Sequence, residues 1–223
     1  MTVRTVAGRL PGIAELRDHC RALAALEAVV CPDPVWRTYA YSRRWSQTVE
    51  LAEMSNGSGD EYGIVFCPAG VWIRGFDHES PMSPYAGDEL EVWPGVLEEV
   101  PEVFREYVVE PAFSDEGVPR VTACLWRTTE DTVWRTGSAI EFFASEDRED
   151  VDGAEYLFAG LVDRSAEAYV EFARDMHEVE LDAAAVGEVL ALRPLSERLL
   201  GRLVSGRALD GLIGDLSEIG YPY

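Results

Sequence analysis

The stretch from residue 62 to residue 76 contains two runs of β-favouring residues with a short turn between them. Residues 62–67 and 71–76 are rich in Val, Ile, Phe, Tyr and Trp, and Pro68-Ala69-Gly70 joins them. Such a pattern is typical of a β-hairpin. A concentrated turn signal at 55–60 precedes the hairpin, so the sequence predicts a β-meander over 35–76.

Apolar residues at three- and four-residue steps predict an amphipathic helix over 12–30, which Pro32 and Pro34 end. The last third is mainly helical, with Ser165 and Asp182 as N-cap residues and a short alternating strand at 177–181. Its predicted helices are 154–163, 166–176, 183–192, 195–204 and 207–218.

The middle of the chain predicts a less regular arrangement. Residues 77–95 form a long ordered loop, and a helix over 95–109 restarts at Pro101, because proline suits a first helical turn. A second hairpin pairs 118–127 with 131–137 and places Trp126 opposite Trp134. A strand at 139–144 precedes an acidic loop at 146–153, in which Asp152 caps the following helix.

These elements predict one α+β domain spanning residues 1–223. An antiparallel sheet or meander carries an N-terminal helix, and the helical C-terminal third packs on it. Neither an internal repeat nor a low-complexity linker divides the chain.

Charge narrows the functions that this chain can perform. All 19 basic residues are Arg, against 41 Asp and Glu, for a net charge of −22. Without Lys there is no P-loop lysine and no Schiff-base lysine. No cofactor motif is present, so we expect no cofactor and assign no metal ligand. Such a negative field repels nucleic acid and anionic membranes and favours a basic protein as a partner. The alternative is that the charge serves only to keep the protein in solution.

The N-terminal residues and the cysteines indicate the compartment. Arg4, Arg9 and Pro11 interrupt any apolar run near the N-terminus, which therefore has neither a signal peptide nor a transmembrane span. The four cysteines are widely spaced and form no C-x-x-C motif. We expect a reduced, cytoplasmic protein.

The candidate catalytic residues are Asp77, His78 and Glu79, at the exit of the second hairpin strand. His78 could act as a general base oriented by a carboxylate, or it could join carboxylates around a divalent cation. Consecutive side chains of an extended segment alternate in direction, so further ligands would have to come from elsewhere. The structural alternative is that Asp77 and Glu79 accept hydrogen bonds from backbone amides of the following turns. A dyad of Cys67 with His78 is a weaker alternative.

The block SNGSGDEYGIVFCPAGVWIRGFDHESPMSPY, residues 55–85, is followed by Trp93-Pro94-Gly95 and Val100-Pro101. It resembles a family of uncharacterised bacterial proteins, and the resemblance extends over most of the chain. This likeness implies a bacterial cytoplasmic protein and carries no activity or catalytic residue with it.

Two interpretations of function remain. The first is a non-enzymatic, acidic protein-binding module of the immunity or antitoxin kind, in which charge steers a basic protein onto its surface. The second is a small hydrolase or metal-binding enzyme that uses the Asp77-His78-Glu79 loop. The first predicts a contiguous acidic or aromatic-edged patch without a deep pocket. The second predicts a cleft at the loop in which His78 meets carboxylates or Cys67.

Overall fold

A computed structural model describes residues 2–142 and 149–223 of the chain. Its central element is an antiparallel sheet in the order β1-β2-β3-β4-β7. The predicted hairpin is confirmed as β3 and β4, and the predicted meander as β1 to β4. The strands of this sheet are β1 (Tyr39–Ser42), β2 (Glu50–Ser55), β3 (Glu61–Cys67), β4 (Gly70–Phe76) and β7 (Ala123–Thr128).

One face of the sheet packs against helices. A row of directly paired residues, Tyr41, Ala52, Ile64, Ile73 and Leu125, crosses all five strands, and every member is buried. Alternation along a strand puts every second side chain on this face, where it joins the core. The predicted α+β class is therefore confirmed.

The helices occur in the expected order along the chain. α2 covers most of the predicted 12–30 helix, and the Ser165 and Asp182 side chains accept hydrogen bonds from the amides of Ala168 and Ala184 at their helix starts. Both predicted N-caps are confirmed. The helices are α1 (Val3–Ala7), α2 (Ile13–Val30), α3 (Arg105–Val108), α4 (Ala154–Leu157), α5 (Ala159–Val162), α6 (Ala166–His177), α7 (Ala183–Leu190), α8 (Glu197–Leu203) and α9 (Ile213–Ile219).

A buried carboxylate joins α2 to the sheet and to α6. Glu27 is fully buried, and its oxygens accept hydrogen bonds from the Thr38 amide at 2.7 Å and the Tyr169 hydroxyl at 2.9 Å. The His177 Nε2 atom lies 3.1 Å from both carboxylate oxygens. Three elements thus meet at one charged side chain, and such a group is tolerated in a core only because it is fully hydrogen-bonded.

A second buried carboxylate connects α1 to the chain that enters α4. Asp152 accepts hydrogen bonds from the Val3 amide at 2.8 Å and the Ala154 amide at 3.1 Å. It therefore binds the first amide of α4, although Gly153 rather than the predicted Asp152 occupies the N-cap position, and it also holds α1. Burial raises the pKa of Asp152 to about 6, with the neighbouring Asp150 adding to the rise.

Residues 77–122, which we call the excursion, cover the other face of the sheet. The Trp72 ring on that face lies 6.5 Å from the Tyr107 ring and 5.9 Å from the Phe113 ring, measured between centroids. The excursion contains α3 and a small hairpin of β5 (Ser114–Asp115) with β6 (Val118–Pro119). Its ends meet where the Thr122 amide donates to the Gly75 carbonyl oxygen at 2.8 Å. The sheet is therefore covered on both faces.

The predicted helix over 95–109 is wrong in its first half. Gly95 has a φ of +90°, and a Cβ atom there would lie 2.6 Å from the backbone nitrogen of Ile140. Pro101 is extended, and a 3₁₀ turn begins only at Glu102 before leading into α3. The close approach of the 137–140 backbone, rather than local propensity, determines the path of residues 95–101.

The second hairpin forms only in part. β7 begins at Ala123, residues 118–119 pair with 114–115 instead, and the returning chain makes a single bridge between Trp126 and Arg135. The prediction that Trp134 lies opposite Trp126 is wrong, because Trp126 lies opposite Arg135, and the Trp134 Nε1 atom instead donates to the Pro11 carbonyl oxygen. Residues 139–142 are irregular. Residues 143–144 of that predicted strand and 146–148 of the acidic loop lie outside the described residues.

The alternating segment 177–181 is not a strand. α6 ends with Glu178 in the left-handed conformation at a φ of +56°, and the Val179 amide donates to the Ala173 carbonyl oxygen. This is the hydrogen bond of a helix C-cap, which uses the backbone groups that a strand would need. Two other predicted helices are shorter or divided: 154–163 is split at Phe158, and 207–218 becomes a 3₁₀ turn followed by α9.

Candidate functional site

The β3–β4 hairpin places His78 beside Asp60. Glu61 pairs with Phe76, so the chain that leaves β4 runs next to the chain that enters β3. The Asp60 Oδ1 atom lies 2.7 Å from His78 Nδ1 and 3.0 Å from the His78 amide nitrogen. Asn56 donates to the other oxygen of Asp60 at 2.7 Å. The candidate imidazole therefore has a carboxylate partner that was not among the predicted residues.

The two carboxylates that flank His78 in sequence have different surroundings. Asp77 is buried, and its Oδ1 atom accepts a hydrogen bond from the Glu79 amide at 3.0 Å. The structural alternative considered for Asp77 is thus observed. Glu79 is exposed, and its carboxylate comes no closer than 3.9 Å to His78 Nε2. Gly153, with a φ of +71°, lies against Asp77, and a Cβ atom there would be 2.3 Å from the Asp77 carboxylate.

The electrostatic surroundings of His78 favour its protonated form. The hydrogen bond to Asp60 raises the pKa of His78 above its usual range. Burial disfavours the charged form of Asp60, but the hydrogen bonds from His78 and Asn56 outweigh it and lower the pKa of Asp60. An imidazole that keeps its proton is a weak general base near neutral pH.

The arrangement contains the donor set of a cation site. Asp60, Asp77 and His78 each offer one ligand atom, and these atoms all lie within 4.8 Å of one another. Two carboxylate oxygens and one imidazole nitrogen suit Zn²⁺ or Mn²⁺.

A cysteine nucleophile for His78 is ruled out by the hairpin register. Cys67 pairs with Gly70 at the turn, whereas His78 follows the opposite end of β4. The Cys20 and Cys124 thiols are buried, which raises the pKa of each to about 12 and makes both poor nucleophiles. All four cysteines are free thiols.

The excursion also contains an acidic surface, residues 88–116, which we call the acidic segment. It has ten carboxylates and one arginine, and nine of the ten acidic residues are exposed. Its acidic residues are Asp88, Glu89, Glu91, Glu98, Glu99, Glu102, Glu106, Glu110, Asp115 and Glu116.

None of these ten carboxylates forms an ion pair with any residue in 2–142 or 149–223. The hydrogen bonds that they accept come from neutral groups, such as the Ser138 hydroxyl to Glu99 at 2.6 Å and the Tyr85 hydroxyl to Asp115 at 2.8 Å. The bonds from Ser138 lower the pKa of Glu99 and keep it ionised. The arginine, Arg105, donates to the Glu98 backbone oxygen. The negative charge of the acidic segment is therefore not neutralised by an ion pair within the described residues.

Comparisons with protein-family models, with curated proteins and with solved structures found no match. Every helix in the described residues is too short or too polar to cross a bilayer. The resemblance to a bacterial family stays a prediction.

Sequence reasoning missed Asp60 although a signal for it was present. In an antiparallel hairpin whose connection is residues 68–69, the residue numbers of each pair sum to 137, which puts residue 60 opposite residue 77, next to His78. Extending that register by one pair beyond the strands would have located Asp60. Glu27 was also missed. It is the one charged residue in the otherwise apolar run 22–30, a pattern that indicates a helix buried on all sides.

Proposed function

We propose that this protein is a non-enzymatic binding module of the bacterial cytoplasm that binds a basic protein through the acidic segment. The observation that carries the proposal is the ten carboxylates of residues 88–116, none of them ion-paired with a described residue. Like charges that are held close together repel, and a cationic partner relieves that repulsion while its approach is steered by the field. The same charge disfavours nucleic acid as a partner.

Apolar groups beside the carboxylates provide a second component of the contact. Val103 is 52% exposed and Val109 is 71% exposed, and both lie within the acidic segment. Apolar side chains surrounded by charges are typical of the centre and rim of a protein interface. The partner is thus expected to present Arg or Lys around a small apolar patch.

The test compares two variants of equal net charge. Three acidic-segment residues are changed in the first, and three exposed acids elsewhere are changed in the second. The first variant carries Glu89→Gln, Glu91→Gln and Glu102→Gln, and the control carries Glu130→Gln, Glu167→Gln and Glu178→Gln.

Proteins retained from a lysate of the source cells at low salt are identified, purified and titrated against both variants by calorimetry. Exposed ion pairs contribute about 0.5 kcal/mol each, so the first variant should bind roughly tenfold more weakly while the control binds like the wild type. Equal weakening in both variants would mean non-specific ion exchange, and an absence of any stoichiometric basic partner would also refute the proposal.

A second candidate function is divalent-cation binding at Asp60, Asp77 and His78, as a metal-binding enzyme would require. The observation that favours it is that the three candidate ligand atoms all lie within 4.8 Å of one another. Titration with Zn²⁺ and with Mn²⁺ should give one site in the wild type, with at least tenfold weaker binding in Asp60→Asn. A His78→Ala variant with unchanged metal affinity would exclude this candidate.

A further inference from the structure

A cavity of about 400 Å³ lies between α2, α6, the start of β1 and the α4–α5 corner. It shares no residue with the acidic segment or with the Asp60–Asp77–His78 cluster. Its volume falls within the range of small-molecule binding sites, which are mostly apolar with a few polar groups. Apolar wall residues include Leu23, Met54, Leu157, Ala159 and Ala168.

Aromatic rings form one side of this cavity. The Tyr39 and Phe172 ring centroids are 5.0 Å apart, and the Tyr169 ring lies 5.5 Å from Phe172. The Tyr39 hydroxyl lies against Gly160, another wall residue, because a Cβ atom on that glycine would be 3.1 Å from the hydroxyl oxygen. Burial raises the pKa of Tyr39, so the hydroxyl keeps its proton.

This hydroxyl makes no hydrogen bond within the part of the chain that the structure describes. A hydroxyl on a cavity wall that has no protein partner can bond to water or to a polar group of a ligand. A ligand in the cavity would provide the missing partner.

Two carboxylates are placed on the cavity-facing stripe of α6. Glu171 and Asp175 both line the cavity and are one helical turn apart, with Phe172 and Met176 on the same stripe. Like charges at this spacing destabilise a helix. Neither carboxylate forms an ion pair with a described residue, because the adjacent Arg174 is held by both oxygens of Glu180.

No opposing positive charge comes from the histidine in the wall. The His19 Nε2 atom donates to the Gly160 carbonyl oxygen at 2.8 Å. Burial lowers the pKa of His19, so the ring is neutral near pH 7. The cavity therefore has aromatic rings on one side, a negative stripe on another and no cation of its own from these residues.

We propose that this cavity binds a small organic cation with an aromatic or branched apolar body. The body lies among Leu23, Met54 and Phe172, and the ammonium group lies between Glu171 and Asp175. Ring faces attract cations, and the exposed carboxylates of Glu171 and Asp175 on the cavity lining add to that attraction. The Tyr39 hydroxyl satisfies its hydrogen bond with a polar group of the ligand. The proposal does not depend on the acidic segment.

The first experiment compares three probes of similar size and different charge on the full chain by calorimetry. Phenethylammonium is the cation, phenethyl alcohol is the neutral analogue and hydrocinnamate is the anion. We expect the cation to bind roughly tenfold or more tightly than the alcohol, from two ion pairs of about 0.5 to 1 kcal/mol each, and no binding of the anion. Equal affinity for cation and alcohol, or no binding of any probe at millimolar concentration, would overturn the proposal.

Variants test the assigned contacts. Glu171→Gln with Asp175→Asn should remove most of the preference for the cation. The matched control, Glu167→Gln with Asp210→Asn, changes the charge equally at exposed positions outside the cavity and should retain the preference. Tyr39→Phe loses no hydrogen bond of the free protein, so it should fold normally and bind the cation about threefold to tenfold more weakly. An unchanged preference in the Glu171 and Asp175 variant would refute the assignment.

Discussion

Replacing Glu27 with leucine tests whether the buried carboxylate holds three elements together. The change removes the acceptor of the Thr38 amide and the Tyr169 hydroxyl, and it removes the partner of His177. Each buried donor left unsatisfied costs about 1–3 kcal/mol, and the leucine returns part of this by avoiding the burial of a charge. We expect a net loss of about 3–5 kcal/mol in the free energy of unfolding, which is comparable to breaking a buried charged pair.

The measurement is urea unfolding at pH 7, followed by tryptophan fluorescence and circular dichroism. Glu27→Gln is the shape-matched control, and it should cost about 1–2 kcal/mol because one acceptor oxygen remains. A double-mutant cycle adds Tyr169→Phe, which should cost at least about 1 kcal/mol in the wild type and much less in the leucine background. A loss below about 1 kcal/mol for Glu27→Leu, or equal costs of Tyr169→Phe in both backgrounds, would refute the reasoning.

Three further predictions concern other residues. The pKa of Asp152 in the folded protein, about 6, exceeds its value in the unfolded chain. The stability of the wild type relative to Asp152→Asn should therefore fall by up to about 3 kcal/mol as pH rises from about 4 to 6. Urea unfolding across this range measures the difference, and a pH-independent difference would contradict the prediction. The raised pKa of His78 means that its ion pair with Asp60 is fully formed below about pH 6.5 and is lost as pH rises through the folded pKa. Proton NMR titration should show a lower His78 pKa in Asp60→Asn, and an unchanged value would contradict the pairing. A Cβ atom in Gly137→Ala would lie 1.9 Å from a backbone oxygen, so the free energy of unfolding of this variant should fall by about 1–3 kcal/mol. Gly214 on α9 faces open space, so Gly214→Ala should raise the free energy of unfolding by up to about 1 kcal/mol. Thermal unfolding of both variants measures the two changes.

Features determined by neighbouring residues were predictable from the sequence. The β3–β4 hairpin, α2 and the two N-caps at Ser165 and Asp182 depend on periodicity, turn residues and short-range hydrogen bonds, and all are confirmed. The prediction at 177–181 is wrong because alternation alone cannot reveal that the Val179 amide is already used by the end of α6.

Features determined by distant residues were not predictable in the same way. The path of residues 95–101 depends on backbone contact with residues 137–140. The packing of the excursion against Trp72 likewise corresponds to no local pattern in the sequence. At the candidate site, Asp77 and His78 come together, and the exposed Glu79 carboxylate lies 3.9 Å from His78 Nε2. The third member of the cluster, Asp60, could be located only from the pairing register of the hairpin and not from the local sequence.

The position of the excursion between two adjacent strands has a consequence for the order of folding. β3 and β4 are joined by two residues, whereas 47 residues separate the paired Gly75 and Ala123 of β4 and β7. Closing the longer loop costs about 3 kcal/mol more in chain entropy, from the logarithmic dependence on loop length. We therefore expect the β3–β4 hairpin to form first and the β7 edge to join late, so that Trp72 and Trp126, paired across that edge, come together near the end of folding.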